Sequence, residues 1–273
     1  MSAPLALPLL GKKAIVTGAS RGIGARIAQA LALSGASVVL GYSSGAKAAE
    51  EVIAAIQAHE AFGAAAKAAG GKNLRLGTVG GKLSDAASAK KFAQDSLAFF
   101  DGNVDIVVHN AAIMGMHEIA SITEDQFDDH FNLNVKAPLF LTQALLPHIN
   151  NDGRILFMSS SVTTHPVVIA PGYVPYAASK GAVEQLTRVL ARDQSITGAQ
   201  RRITVNCLNP GPMSTELFLK GKSQEVLDRI GSLHPQQRVG QPDDVADAFV
   251  YFAGPTSRWV NGQVLRVNGG MAV

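Results

Sequence analysis

Tyr176 and Lys180 stand four residues apart in Tyr-Ala-Ala-Ser-Lys. On a helix that spacing is just over one turn, so a phenol and an ammonium share one face. A free phenol titrates near pH ~10 and is a poor acid at neutral pH. A cation a few ångströms away favours the phenolate and is expected to draw that pKa down. The pair reads as a proton donor or acceptor if the rest of the chain supplies a substrate and an electron source.

The elements that must position this pair follow from hydrophobic periodicity. Short apolar runs at 12–17, 37–40, 74–79, 105–109, 154–158, 202–207 and 263–267 read as strands. Helical patterns lie between them at 25–33, 45–59, 84–100, 123–149 and 176–196. Ser84 is the expected N-cap of the third of these. Pro242 fits the first helical position of a last helix, with Asp243 and Asp244 in its first turn. Strands alternate with helices and no linker interrupts them. That order predicts one α/β domain over 1–273, a doubly wound parallel sheet (Rossmann fold) of about seven strands with helices on both faces. Residues 1–10 read as a loose lead-in. Residues 60–73, rich in Ala and Gly, read as a surface insertion. Residues 212–240 read as irregular with one or two short helices.

The composition excludes several classes. The 273 residues carry a net charge of +3 with scattered basic groups, which argues against nucleic-acid binding. No apolar run reaches the ~18 residues of a membrane span. The single cysteine, Cys207, excludes an internal disulfide and a multi-cysteine metal site, and fits a reducing, cytoplasmic setting. No metal site is expected.

Ligands on such sheets sit at the carboxyl ends of the strands. Thr17-Gly18-Ala-Ser20-Arg21-Gly22-Ile23-Gly24 lies between a strand and a helix. Glycines there let backbone amides approach a pyrophosphate, and the helix N-terminus adds partial positive charge. After the second strand comes Tyr42-Ser43-Ser44, with no carboxylate to repel a 2′-phosphate. Arg21 is placed to pair with that phosphate and Lys47 is a second candidate, so NADPH is expected over NADH.

The glycine turn, Asn110-Ala111, Asn134, a serine after the fifth strand, Tyr176/Lys180 and Pro210-Gly211 occur in that order. In this the chain resembles the short-chain dehydrogenase/reductase family from about residue 9 onward. The Tyr42-Ser43-Ser44 and C-terminal Asn-Gly-Gly segments look most like microbial ketoreductases of aromatic polyketide metabolism.

The resemblance implies roles. Tyr176 would protonate a carbonyl oxygen while the nicotinamide delivers hydride, and Lys180 would lower its pKa and hold the nicotinamide ribose. A serine would hydrogen-bond the same oxygen. The family's usual spacing selects Thr163, whereas the end of the fifth strand selects Ser160. Ser160 is preferred, with Ser161 and Thr163 left open, and a longer following loop is implied. Asn134 would join Lys180 to solvent through water. Pro138, four residues on, has no N–H for the Asn134 carbonyl. Asn110, Ala111 and Ala112 would line the adenosine-ribose side. Leu83 follows Lys82, which stands where the family has an adenine-contacting Asp. A lysine cannot accept that bond. Pro210, Gly211 and Met213 would cradle the nicotinamide and Thr215 would hold its carboxamide.

Segments 162–175 and 212–235 would contact substrate, with Ser161, Val162, His165, Tyr173, Leu217 and Phe218 as candidate lining. Met213 and His234 are further candidates there. They favour a largely apolar, aromatic or polycyclic carbonyl compound. A homotetramer or homodimer is implied. The competing readings are a non-catalytic NADP(H)-binding regulatory protein and a non-redox isomerase or cyclase on the same fold.

Overall fold

Runs of Val, Ile and Leu form the strands β1 (Lys13–Val16), β2 (Ser37–Tyr42), β3 (Leu76–Gly80), β4 (Val104–His109), β5 (Ile149–Met158), β6 (Thr204–Pro210) and β7 (Val264–Val267). All pair in parallel in one sheet of order β3-β2-β1-β4-β5-β6-β7. β4 and β6 are buried along their whole length, as strands covered on both faces must be. The computed structural model describes residues 7–70, 74–164 and 171–272.

The helices are α1 (Gly22–Leu33), α2 (Ala46–Ala58), α3 (Glu60–Ala68), α4 (Ala86–Phe99), α5 (Glu124–Phe131), α6 (Ala137–Leu145), α7 (Val174–Leu190), α8 (Gln194–Thr197), α9 (Glu216–Leu219), α10 (Gln224–Gly231) and α11 (Pro242–Ala253). They form two layers. On one face Ile27 and Leu31 of α1, Ile56 of α2 and Phe249 and Phe252 of α11 pack on Val16, Val38 and Leu40. On the other, Phe92 of α4, Leu141 of α6 and Val183 of α7 pack on Ile15, Val39, Val107 and Phe157. Each fully buried side chain of this size contributes about 1.5–3 kcal/mol.

The fold corrects several expectations. Asp85, not Ser84, caps α4: its carboxylate accepts from the Ser88 amide at 2.7 Å. The expected helix over 123–149 is broken. α5 passes into a π turn, Asn132–Lys136, and α6 ends at Leu145, followed by a 3₁₀ turn and an early start of β5. The expected helix 176–196 is divided between α7 and α8. The insertion is not only surface. Residues 60–68 form α3, and Phe62 and Ala65 are buried, Phe62 within the core around α1. Residues 71–73 lie outside the described residues. The lead-in is anchored too, because Leu9 is fully buried and its N–H donates to the Ser34 carbonyl. Pro242 does open α11, where Gln241 and Asp244 form a reciprocal cap.

Candidate active site

The strand order reverses between β1 and β4, so the connections leaving their carboxyl ends part and open a crevice. The glycine turn sits there. Gly18 and Gly22 have φ of +65° and +58°, which β-carbon sterics disfavour in other residues. A Cβ on Gly24 would land on the Gly18 carbonyl oxygen and the Asn110 side-chain amide. A Cβ on Gly22 would meet Thr215 Cγ2 at ordinary contact distance, 3.6 Å. Arg21 caps α1 by backbone position only, with no side-chain bond to the first amides of the helix. Those amides are left to an outside acceptor.

The neighbours of the turn hold it in shape. Thr17 Oγ1 accepts from the amides of Asn110 and Ala111 at 3.1 and 3.0 Å. Asn110 Nδ2 donates to the carbonyls of Thr17 and Gly18 at 2.9 and 3.1 Å. The Asn110 side chain is thus spent on bracing the turn. Sequence reasoning missed Thr17 as part of the site. Its signal was a hydroxyl at the last position before the glycines.

Around the acid, one face of α7 carries Tyr176, Ser179, Lys180, Val183, Glu184 and Thr187, all buried. Burial raises the Tyr176 phenol above its ordinary 10.0. The Ser160 side chain pulls the other way, and Tyr173 raises it further. The expectation of a pKa drawn down by Lys180 is therefore corrected. The Lys180 ammonium is 5.8 Å from the centre of the Tyr176 ring. It donates to the Met158 carbonyl at the end of β5 at 2.8 Å. Burial lowers Lys180 itself to about 8. The phenol is a protonated acid at neutral pH.

Of the three hydroxyls considered, Ser160 is the one that meets Tyr176. Thr163 faces away and its Oγ1 lies 2.6 Å from Glu184 Oε1. Ser161 is buried at the start of a 3₁₀ turn. Asn134 lies in the π turn, where the helix widens four residues before Pro138. Its Oδ1 accepts from the Ile113 amide at 2.9 Å, and its Nδ2 donates to the Ile113 carbonyl and to Ser179 Oγ, both at 3.0 Å. It clamps the loop after β4 to α7 one residue before Lys180.

The remaining predicted residues divide. Thr215 caps α9, accepting from the Phe218 amide at 3.2 Å. It also faces Gly22, so it spans the crevice. Tyr42 packs its ring over Gly80, and Ser43 and Ser44 are exposed at the end of β2. Ser20 lies beside Gly45. Leu83 is buried and Lys82 exposed. Arg21 is mostly exposed, with only a 3.9 Å contact to Glu216, and Lys47 reaches Glu51 at 4.0 Å.

Of the lining candidates, Tyr173 lies 6.0 Å from Tyr176, ring centre to ring centre. Val162 is buried. Lys222 covers the Phe218 ring at 4.4 Å. His165 and the Leu217 side chain lie outside the described part of the structure. Met213 and His234, expected to offer surface to a substrate, are instead buried. Met213 packs into the core and His234 Nδ1 contacts the Asn268 carbonyl at 2.8 Å. His109, the last residue of β4, is stacked on Phe157 and bonded to Thr142 at 2.8 Å. A link that the sequence did not show joins the two loops over the site. The His117 amide donates to the Gly172 carbonyl at 2.6 Å and pairs His117 with Tyr173.

A glycine turn at the switch point of a parallel sheet, with a buried phenol and ammonium and a half-buried hydroxyl on the same sheet, defines a dinucleotide-binding α/β protein equipped for redox chemistry. The family model described as enoyl-(acyl carrier protein) reductase matches residues 18–272. An NADPH-dependent aldehyde reductase-like protein of Arabidopsis thaliana is 37% identical over 268 residues, covering 97% of this chain and 95% of that protein. A short-chain dehydrogenase of Burkholderia cenocepacia, solved with NADP, superposes with a TM-score of 0.83 at 34% identity, covering 97% of this chain and 99% of that one. The angucycline C-6 ketoreductase LanV, solved with NADP, gives 0.80 at 33% identity, with 97% and 96% covered. The chain belongs to the short-chain dehydrogenase/reductase family and is an oxidoreductase of that type.

Proposed function

We propose that this protein reduces the ketone of a largely apolar, aromatic or polycyclic compound with NADPH, with Tyr176 as the general acid. The observation that carries the reading is the buried Tyr176 phenol, kept protonated and met by Ser160, at the carboxyl ends of β5 and β6 beside the glycine turn.

The residues present fit the cofactor. The uncapped α1 amides suit a pyrophosphate, and Tyr42-Ser43-Ser44, with no carboxylate, suits a 2′-phosphate. Arg21, largely exposed, is free to pair with that phosphate. Pro210, Gly211 and Thr215 would hold the nicotinamide end. When bound, NADPH supplies the hydride that the carbonyl carbon receives. Tyr176 gives its phenolic proton to the carbonyl oxygen, which becomes the hydroxyl of a secondary alcohol. Ser160 donates to the same oxygen and holds it against the phenol. Lys180 would interact with the nicotinamide ribose and stabilise the phenolate left behind. Asn134 fixes α7 against the loop after β4.

The substrate class rests on the aromatic and apolar Tyr173, Val162 and Phe218 in the two segments that would contact substrate, and on the likeness to a ketoreductase of an angucycline. A homotetramer in a reducing, cytoplasmic setting is part of the same reading. Among the described residues no helix is long and apolar enough to cross a membrane.

The test is loss of NADPH absorbance with a panel of aromatic ketones, run in parallel with NADH. Greater catalytic efficiency with NADPH is expected, and Tyr176→Phe should lower turnover by about 10²–10⁴-fold while NADPH still binds. Tight NADPH binding with no turnover of any carbonyl would favour the non-catalytic reading. Product without NADPH consumption would favour an isomerase or cyclase.

A further inference from the structure

Glu184 stands four residues after Lys180 and eight after Tyr176, on the same buried face of α7, and only 6% of it is exposed. A carboxylate so buried needs donors, because its desolvation is costly without them. Three converge on one oxygen. Ser159 Oγ lies at 2.8 Å from Oε1, Thr163 Oγ1 at 2.6 Å and Asn209 Nδ2 at 2.8 Å. Asn209 Nδ2 also donates to Thr163 Oγ1 at 2.9 Å. The Thr163 hydroxyl, with a single proton, donates to the carboxylate and accepts from Asn209. The other carboxylate oxygen faces Arg188 at 3.5 Å.

The partners of this carboxylate are the neighbours of the site. Ser159 precedes Ser160, Thr163 closes the 3₁₀ turn that Ser160 opens, and Asn209 precedes Pro210-Gly211. One side chain of the helix bearing Tyr176 and Lys180 therefore holds both strand exits that face them. We infer that Glu184 is a positioning residue, which sets the Ser160 hydroxyl and the Pro210-Gly211 segment at their working distance from Tyr176. The catalytic consequence rests on the reduction proposed above. The placement of Ser160 does not.

The placement is read without turnover by titrating the Tyr176 phenol, as the ultraviolet difference between each protein and its own Tyr176→Phe counterpart. The Ser160 side chain lowers the Tyr176 pKa. In Glu184→Gln the volume is kept, the charge that gathers the three donors is lost, and Ser160 is released. The Tyr176 titration should move to higher pH. Loss of a negative charge acting directly would move it to lower pH, so the direction separates the two causes. In turnover, kcat should fall about 10- to 100-fold, the cost of a misplacement near 1 Å, while the ketone KM stays within about threefold.

Thr163→Val removes one donor and should lower kcat in the same sense, and Thr163→Ser, which restores the hydroxyl, should recover it. If Glu184→Gln does not fold, this pair decides. A folded Glu184→Gln protein with the wild-type titration and kcat overturns the inference, as does Thr163→Val indistinguishable from Thr163→Ser. Wild-type protein that reduces no ketone defeats the proposed function instead, and the titration still judges Glu184.

Discussion

Replacing Lys180 with methionine should abolish reduction and yet stabilise the fold at neutral pH. Lys180 is 3% exposed, and burial lowers its pKa from 10.5 to about 8. That interval corresponds to about 3 kcal/mol spent at neutral pH on holding a buried ammonium. Methionine fills the same space without charge. It leaves the Met158 carbonyl without the 2.8 Å donor, a loss of about 1–2 kcal/mol. The net gain at pH 7 is about 1–2 kcal/mol.

The sign of the pH dependence is the sharper test. Between about pH 8 and 10.5 the unfolded wild-type chain binds a proton on Lys180 that the folded chain has released. Wild-type stability therefore gains about 1.4 kcal/mol per pH unit from this group across that window. Below pH 8 the penalty is complete. The advantage of Lys180→Met should be constant below pH 8 and vanish or reverse by pH 10.5. Urea unfolding of both proteins by circular dichroism, from pH 7 to 10.5, reads this directly, because other titrations cancel in the difference. Parallel stability curves would mean that Lys180 titrates at its ordinary value in the folded protein, and burial would then not be what governs the charge of this site.

Two further outcomes follow from the site's supports. His109, held down to about 3 by burial, remains neutral in the fold while the unfolded chain protonates below about 6.5. Its contribution is present above pH 6.5 and is lost as pH falls towards 3, at up to about 1.4 kcal/mol per pH unit. His109→Asn should cost stability at pH 7 through the lost Thr142 contact but flatten the acid limb between pH 6.5 and 4. Identical acid limbs in urea titrations would contradict it. Gly24→Ala drives a methyl into the Gly18 carbonyl and the Asn110 amide, which are fixed by the sheet. It should cost about 2 kcal/mol or more and weaken NADPH binding, read by fluorescence titration and Tm. Unchanged affinity would show that the turn yields more readily than its contacts imply.

The parallel strands and the glycine turn were legible because each rests on a local pattern: apolar runs of strand length, and glycines between a strand and a helix. The position of Ser160 directly after β5 was legible, since a strand fixes the direction in which the chain leaves it. The buried face of α7 was legible at Tyr176 and Lys180 but not at Glu184. A carboxylate on a helix reads as solvent-facing until its three donors arrive from other segments. The packing of α3 was not legible, because its alanines and glycine carry little apolar signal and only Phe62 and Ala65 are buried. The pKa of Tyr176 was misjudged because spacing shows that a cation shares the face and does not show where its ammonium points.

The π turn at Asn132–Lys136 constrains how this chain can change in length. Its Ala137 amide reaches back five residues to the Asn132 carbonyl, so the segment holds one residue more than an uninterrupted α-helix would. Deleting any residue there would restore the regular helical repeat up to Pro138, which has no N–H to give. It would also turn α5 against α6 by about 100°. Asn134 could then no longer reach both Ile113 and Ser179, and the clamp on α7 would open. The segment between Thr123 and Leu145 should accept many substitutions but no single-residue insertion or deletion.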